Sequence, residues 1–484
     1  MKDYRMYIDG QWVDAASKNT FADLNPYTGE VFAMVAAGGK ADAARAIEAA
    51  SRAFPSWAKT GPAERRAYLL KAAAIVDRRK DEIMGIINEE TGAAFPISII
   101  QVMAAITMLQ VAAGQITSVS GEMLPSDFPG AANFITRQPA GVVAGISPWN
   151  APFILSIRSV VFPMAYGNTT IAKPSQETPV SGGLLFAEIL EEAGFPKGVY
   201  NVISNGPGLS GEVGDEFIIN PKVRRISFTG STEVGRQIAE KAGKHLKRVT
   251  LELGGSDPFI VLKDADIDAA VNAGVFGRYI HQGQICMSSK RFLVEKEVAG
   301  EFTAKFTERA KRLKIGDPRK QDTVIGPLIN KHQLELLQGQ VDDAVKKGAK
   351  LLCGGKADGL CFYPTVLSKI NRTMRVYNEE TCGPVAPIIE VEDEKEALLV
   401  ANGTPYGLSA GIFTRDMQKG MELAEQIEAG MVHINDASFL DEPHCPFGGM
   451  KDSGYGKSSG MAAMEEYTEL RWISYQKTPK QYLF

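Results

Sequence analysis

The chain has 484 residues, 44% of them hydrophobic and 23% charged, with a formal net charge of −4. That length predicts two to four domains, with cores large enough to need no disulfides. Lys and Arg are scattered and form no basic stripe, which excludes nucleic acid as a partner.

The first residues, Met-Lys-Asp-Tyr-Arg-Met-Tyr-Ile-Asp-Gly, lack the apolar core of a secretory signal. No uninterrupted apolar run reaches the length of a membrane span, so a cytoplasmic chain with no membrane partner is expected. Residues 41–59 and 63–91 have the periodicity of amphipathic, alanine-rich helices, the second starting after Pro62. Residues 119–139 are poor in helix signals and rich in turn residues. From residue 141 short apolar strands alternate with helices. Strands are predicted at 141–147, 169–173, 199–203, 225–229 and 248–253, with helices from Pro152, over 181–193 and over 233–242. After Gly254-Gly255 a second series has strands at 259–262, 291–294, 385–391 and 431–434, with helices at 265–279 and 418–429. This alternation predicts two α/β domains with parallel sheets covered on both faces. Residues 468–476 read as a strand. With 119–139 they form either an arm that pairs with another subunit or two surface strands of one monomer.

The five cysteines, at 286, 353, 361, 382 and 445, form no Cys-x-x-Cys pair and no Cys/His cluster. No metal site or disulfide framework is expected, and free thiols in a reducing compartment are.

Several strand ends carry residues suited to chemistry. Ser147-Pro-Trp-Asn-Ala-Pro152 brackets a Trp-Asn pair with prolines, which stiffens the loop and aims the Asn150 amide, a suitable oxyanion donor. Lys173-Pro174-Ser175 offers an ammonium at the next strand end. Gly206-Pro-Gly-Leu-Ser-Gly211 matches the dinucleotide fingerprint literally but lacks the acidic residue expected after the following strand. Gly230-Ser-Thr-Glu-Val-Gly235 follows a strand and opens a helix, so Ser231 is either a phosphate donor or an N-cap. In Val249-Thr-Leu-Glu-Leu-Gly-Gly255, Glu252 points away from the apolar face at the carboxyl end of a strand, where open α/β sheets place ligands. The two glycines after Leu253 imply close backbone approach. Cys286 lies in Gly283-Gln-Ile-Cys-Met-Ser-Ser-Lys290. A free cysteine is more often an inert buried residue, so only its company can make it a nucleophile.

These segments together resemble the aldehyde dehydrogenase superfamily over essentially the whole chain. The resemblance rests on 147–153, Lys173-Pro-Ser, 228–235, Glu252-Leu-Gly-Gly255, Gly283-Gln-Ile-Cys286, Glu380 before Gly383-Pro384, and Pro446-Phe-Gly-Gly449, in the family's order. It implies a Rossmann-like dinucleotide-binding domain (1–120 and 141–254), an α/β catalytic domain (255–451) and a small β oligomerisation arm (121–140 and 466–484) that makes a homodimer or homotetramer. It also implies NAD(P)-dependent oxidation of an aldehyde to the acid. Cys286 would be the nucleophile, Asn150 the oxyanion donor and Glu252 the base that activates water. Ser147, Trp149, Lys173, Ser175, Gln176, Gly206, Gly230, Ser231, Leu253 and Glu380 would meet the cofactor.

Three departures from the family pattern stand out. Gln176 replaces a glutamate that holds the adenosine ribose in many NAD-preferring members, which removes repulsion against a 2′-phosphate and opens the choice to NAD or NADP. Cys382 takes the place of a frequent phenylalanine and puts a second thiol near the site. Ser256-Asp257 replaces a common Lys or Asn, with no consequence drawn. Arg158, two turns beyond Asn150, and the segments 441–449 and 468–473 resemble the benzaldehyde, vanillin and salicylaldehyde dehydrogenase branch. An aromatic aldehyde is therefore the first substrate class, with Arg158, Ile285 and Met287 in its pocket. The alternative is a semialdehyde of the succinate type, whose enzymes add a second arginine where this chain has Ile280. An acyl-CoA-forming relative and a non-catalytic descendant are disfavoured by the presence together of Cys286, Asn150 and Glu252.

Overall fold

The computed structural model describes residues 2–484. Its largest sheet has eight strands. Five of them, Arg248–Glu252, Val223–Thr229, Val142–Ile146, Thr169–Lys173 and Tyr200–Val202, lie side by side in that order and run parallel. Met6–Ile8 and Gln11–Val13 extend one edge antiparallel, and Gly454–Tyr455 extends the other. The central strands, Val-Val-Ala-Gly-Ile and Thr-Thr-Ile-Ala-Lys, are buried throughout, as a sheet covered on both faces requires. Gly145 lets the helix Pro152–Ala165 lie directly on this sheet, because a Cβ there would sit 3.1 Å from a Val160 methyl.

A second sheet has six parallel strands in the order Thr365–Ser368, Val385–Val391, Ser289–Glu295, Asp257–Val261, Ser409–Phe413 and Met431–Ile434. Phe259, Phe292, Phe302, Phe306 and Phe413 pack ring to ring in its core, with centroids 4.8 to 6.1 Å apart. The predicted parallel α/β series are therefore both present. Ala131–Pro139 and Thr468–Gln476 pair antiparallel along their whole length, with Glu122–Leu124 on the far side of the first.

One expectation is corrected. The stretch 63–91 is two helices, Pro62–Arg78 and Lys80–Thr91, because Arg79 leaves helical geometry (φ −95°, ψ 12°) while its guanidinium bonds Glu82 and Glu188. The chain also contains one helical segment long and apolar enough to cross a membrane, Phe95–Ser118. Ser98, Gln101 and Gln110 interrupt its apolar run without changing its overall character. Val102, Ala105, Met108, Leu109 and Ala112 on it are fully buried, and it packs against Pro62–Arg78 and Pro152–Ala165 as a core helix does.

Candidate active site

The helix Ile267–Tyr279 ends in a turn of three consecutive left-handed residues, His281 (φ 51°), Gln282 (φ 55°) and Gly283 (φ 70°), just before Cys286. Each non-glycine residue there costs on the order of 1 kcal/mol, so the turn must be held from outside. Gln282 Nε2 donates to the carbonyls of Gly92 (3.1 Å) and Pro327 (2.9 Å). Gln284 Oε1 accepts from the Ile329 amide at 3.0 Å. The buried Arg278 guanidinium donates to the carbonyls of Thr381 and Gly383. Cys286 is thus presented, half-buried, on a loop fixed on three sides.

Cys286 and Asn150 lie on the walls of two cavities at once. The first, of 560 Å³, is also lined by Trp149, Gly230, Ser231, Glu252, Leu253, Glu380 and Cys382. The second, of 310 Å³, lies on the other side of the pair. Asn150 follows the strand Val142–Ile146, and its Nδ2 donates to the Gln284 carbonyl at 3.0 Å, which leaves one N–H for another acceptor. Glu252 ends its strand buried, with Oε1 accepting from Ser458 Oγ at 3.0 Å and Oε2 unpartnered. Burial pushes this carboxyl up to about 8, against the opposing influence of Arg158, Ser458 and Lys457. Burial likewise pushes the Cys286 thiol up to about 12, and Lys290 is the strongest influence in the other direction. The sequence puts a second thiol near the site, and Cys382 does share this cavity with Cys286.

The close approach implied by Gly254-Gly255 has an evident cause. A Cβ on Gly254 would strike the Glu380 carboxylate, and one on Gly255 would sit 3.0 Å from the Cys286 carbonyl oxygen. Two residues to which the sequence reading gives no role complete the surroundings. Lys290 Nζ donates to the Cys286 carbonyl and lies 3.4 Å from Glu380 Oε1 and 3.9 Å from Asp257 Oδ2. Asp257, fully buried, accepts from the Ser409 amide at 3.0 Å. A lysine second in a fully buried strand was the available signal.

A third cavity, of 460 Å³, is lined by Ser147, Trp149, Lys173, Ser175, Gly230 and Ser231. It shares Pro148, Trp149 and 229–231 with the 560 Å³ cavity, so the two form one trough across the carboxyl ends of the first sheet's strands. Ser231 caps the helix Thr232–Lys244, its Oγ accepting from the Val234 amide, and its hydroxyl proton remains free to meet a phosphate. Lys173 is buried and pushed down to about 8, with Nζ donating to Ser210 Oγ at 3.3 Å. Ser147 Oγ is buried without a protein partner. Ser210, Gly211, Asp215 and Lys241 also line this wall and were not foreseen. Two predicted cofactor residues are not brought to the trough. Gly206 packs behind it, near Ala37 and Phe21, while the third glycine of the same fingerprint, Gly211, does line it. Gln176 faces a separate 320 Å³ cavity with Glu177 and Asp23.

The 310 Å³ cavity beyond Cys286 is walled by Ile100, Ile154, Leu155, Phe276, Phe439 and Phe447, among others, and includes all three predicted pocket residues, Arg158, Ile285 and Met287. Arg158 is ion-paired to Asp441 and lies over the Phe447 ring, 4.0 Å from its centroid. Both side-chain polar atoms of the buried Gln101, with Arg158 Nε and Asp441 Oδ1, have no partner in this wall. Gln101 reaches the cavity from the helix Phe95–Gln115, where Ile97, Ile100, Gln101 and Ala104 share one face at helical spacing. All five cysteines are unpaired. The reading that no cysteine lies in a Cys/His cluster is corrected for Cys445: Glu442, His444 and Cys445 converge on an exposed loop, with ligand atoms within 4.8 Å of one another.

The model of the aldehyde dehydrogenase family matches residues 12–473. A vanillin dehydrogenase of Pseudomonas fluorescens is 44% identical over 482 residues, covering 100% of both chains. A benzaldehyde dehydrogenase [NAD(+)] of Pseudomonas putida is 39% identical over 482 residues, covering 99% of this chain and 98% of that one. The crystal structure of a salicylaldehyde dehydrogenase from Pseudomonas putida G7, complexed with salicylaldehyde, superposes with a TM-score of 0.98 at 40% identity and covers 100% of both chains.

Proposed function

The chain belongs to the aldehyde dehydrogenase family, and from that premise we propose that it oxidises an aromatic aldehyde to its carboxylic acid through a thioester on Cys286. The observation that carries this reading is the position of Cys286 and Asn150 on the wall common to a trough bearing several polar groups and a largely apolar cavity that holds three phenylalanine rings.

The trough suits a dinucleotide. It has an unpartnered buried serine hydroxyl, a lysine and a helix N-terminus along one length, and Glu380 at the end nearest Cys286. Lys173, Ser175 and Ser231 would hold its adenosine and phosphate portions, and Glu380 its nicotinamide ribose. Bound there, NAD or NADP supplies the acceptor for the two electrons of the oxidation. The chain's own residues do the rest. Cys286, as the thiolate, attacks the carbonyl carbon from the loop that fixes it. The Asn150 N–H and the Cys286 amide N–H hold the oxyanion. Glu252 takes a proton from water, which attacks the thioester and releases the acid. A base of pKa near 8 is suited to that task near neutral pH. In the same reading the half built on the eight-stranded sheet binds the cofactor, the half built on the second sheet carries the nucleophile, and the three-stranded sheet is an oligomerisation arm.

The walls of the 310 Å³ cavity favour a ring over a carboxylate. Arg158 is already neutralised by Asp441, so a semialdehyde's carboxylate would meet a pair rather than a free cation. The unpartnered polar atoms of Gln101, Arg158 and Asp441 suit a hydroxyl or methoxyl on the ring, which can satisfy them. The test is a panel of benzaldehyde, salicylaldehyde, vanillin and succinate semialdehyde with each cofactor. Ring-substituted benzaldehydes should give the highest kcat/KM, and Cys286→Ala should abolish turnover. Faster turnover of the semialdehyde would overturn the substrate assignment, and normal turnover by Cys286→Ala would overturn the mechanism.

A further inference from the structure

Lys290 is the buried cation of the nucleophile loop. Its side chain is 1% exposed, and its ammonium contacts the Cys286 carbonyl, the Glu380 carboxylate at 3.4 Å and Asp257 at 3.9 Å. An ammonium removed from water to this degree needs such partners, because isolated burial of the charge costs several kcal/mol. Those partners come from three places in the chain. Cys286 precedes the strand Ser289–Glu295, Asp257 opens the neighbouring parallel strand, and Glu380 comes from the turn before Val385–Val391. The ammonium is therefore the point at which the nucleophile's backbone and the cofactor-facing carboxylate are tied together.

We propose that Lys290 is a positioning residue for Cys286, one that fixes the nucleophile's peptide relative to Glu380 and supplies the positive charge against which the thiol ionises, with Asp257 moderating that charge. The proposal rests on the reading of Cys286 as nucleophile. The physical basis is short-range electrostatics: in a water-poor site an opposite charge within about 4–6 Å shifts an ionisation by one to three pH units. The charges around the thiol act in both directions. Lys290 and Arg158 favour the thiolate, while Asp257 and Glu380 oppose it, and burial opposes it most. Lys290 is the strongest of the favourable groups. Its donation to the Cys286 carbonyl also orients the peptide unit at the residue that bears the thiol.

This arrangement makes opposite predictions for two neighbouring substitutions. Removal of the cation, Lys290→Met, disfavours the thiolate. Removal of its counter-charge, Asp257→Asn, favours it. A role limited to packing would slow both variants or neither.

The experiment measures the rate of iodoacetamide alkylation of Cys286 against pH, read by mass spectrometry of the Cys286 peptide in the intact enzyme. Lys290→Met should slow alkylation at pH 8 about tenfold and move the profile to higher pH, whereas Asp257→Asn should accelerate it and move the profile down. Lys290→Arg, which keeps the charge, should stay within about threefold of the wild type. A melting temperature close to wild type qualifies each variant as folded. If Lys290→Met does not fold, the Asp257→Asn and Lys290→Arg profiles still decide the matter. Unchanged alkylation in folded Lys290→Met, or a shift of Asp257→Asn to higher pH, would overturn the proposal. Because alkylation reads the thiol directly, it is independent of turnover. Loss of the nucleophile assignment would instead show as activity surviving in Cys286→Ala.

Discussion

A carboxyl pushed up to about 8, as Glu252 is, holds its proton through most of the neutral range and becomes a base only as pH rises. The deacylation rate of the wild type should therefore climb with pH through about 8. Ser458 donates to Oε1 and favours the ionised form, so Ser458→Ala should move that climb upward by about one pH unit. Arg158, Asp441 and Lys457 act on the same carboxyl and stay in place. A steady-state kcat profile for the two proteins checks this, and coincident profiles would remove Ser458 from the assignment. Glu252→Gln should lose the climb altogether and show a burst of one NAD(P)H per site before a slow steady rate. Stability follows with a definite sign. The folded chain keeps a proton that the unfolded chain releases, so wild-type stability falls as pH rises from the ordinary carboxyl value of 4.5 towards 8. Glu252→Gln has no such proton, so its melting temperature should gain on the wild type across that window and the gap should level off above it. A gap that is constant with pH would show that the carboxyl is not buried as described.

At the scale of elements, the left-handed turn before Cys286 and the glycine helix beside the trough make contrasting demands. Gly283 has φ 70°, and a Cβ there would lie 2.9 Å from the Arg278 carbonyl oxygen, so Gly283→Ala should cost 1 kcal/mol or more of stability, on the order expected for strain plus overlap. Gly214 lies within the helix Ser210–Ile219, with open space beside it on the trough wall. Alanine there should stabilise the helix by roughly 0.5–1 kcal/mol while its methyl group raises the KM for cofactor. Denaturant unfolding and cofactor titration separate the two, and a destabilised Gly214→Ala with normal cofactor KM would contradict the description of that wall. The same contrast explains what was legible in the sequence. Cys286, Asn150 and Glu252 sit at or just beyond the ends of regular elements, next to glycines and prolines, so pattern and turn chemistry located them and the family resemblance supplied their roles. Lys290, Asp257 and Gln101 reach the site by tertiary packing, from the start of a strand or the middle of a helix, and only Lys290, the second residue of a fully buried strand, carries a local signal. Gln176 shows the complementary failure. It lies beyond the last residue of the strand Thr169–Lys173 and past Pro174, where alternation no longer fixes the side-chain direction, and it faces another cavity.

For the molecule as a whole, the three-stranded sheet poses a different problem from the two large ones. Its strands Ala131–Pro139 and Thr468–Gln476 satisfy each other's backbone, yet Met123, Leu470, Trp472 and Tyr475 are between 57% and 74% exposed. Thr468–Gln476 is also an edge strand with one side unpaired. Apolar side chains exposed on both faces of a sheet with a free strand edge mark an assembly surface or an aggregation hazard, and a folded chain with no partner gains nothing from either. We therefore expect a homodimer or homotetramer in which this sheet is covered by another copy. Leu470→Lys combined with Trp472→Glu places charge on that surface without touching the walls of the trough or the aromatic cavity. Light scattering after size exclusion should show the wild type as an oligomer and the double variant as a smaller species. Cys286 alkylation should stay near wild type in that variant, because the nucleophile loop is held by contacts within one chain. A monomeric wild type, or a double variant with unchanged mass, would overturn the assignment of this surface.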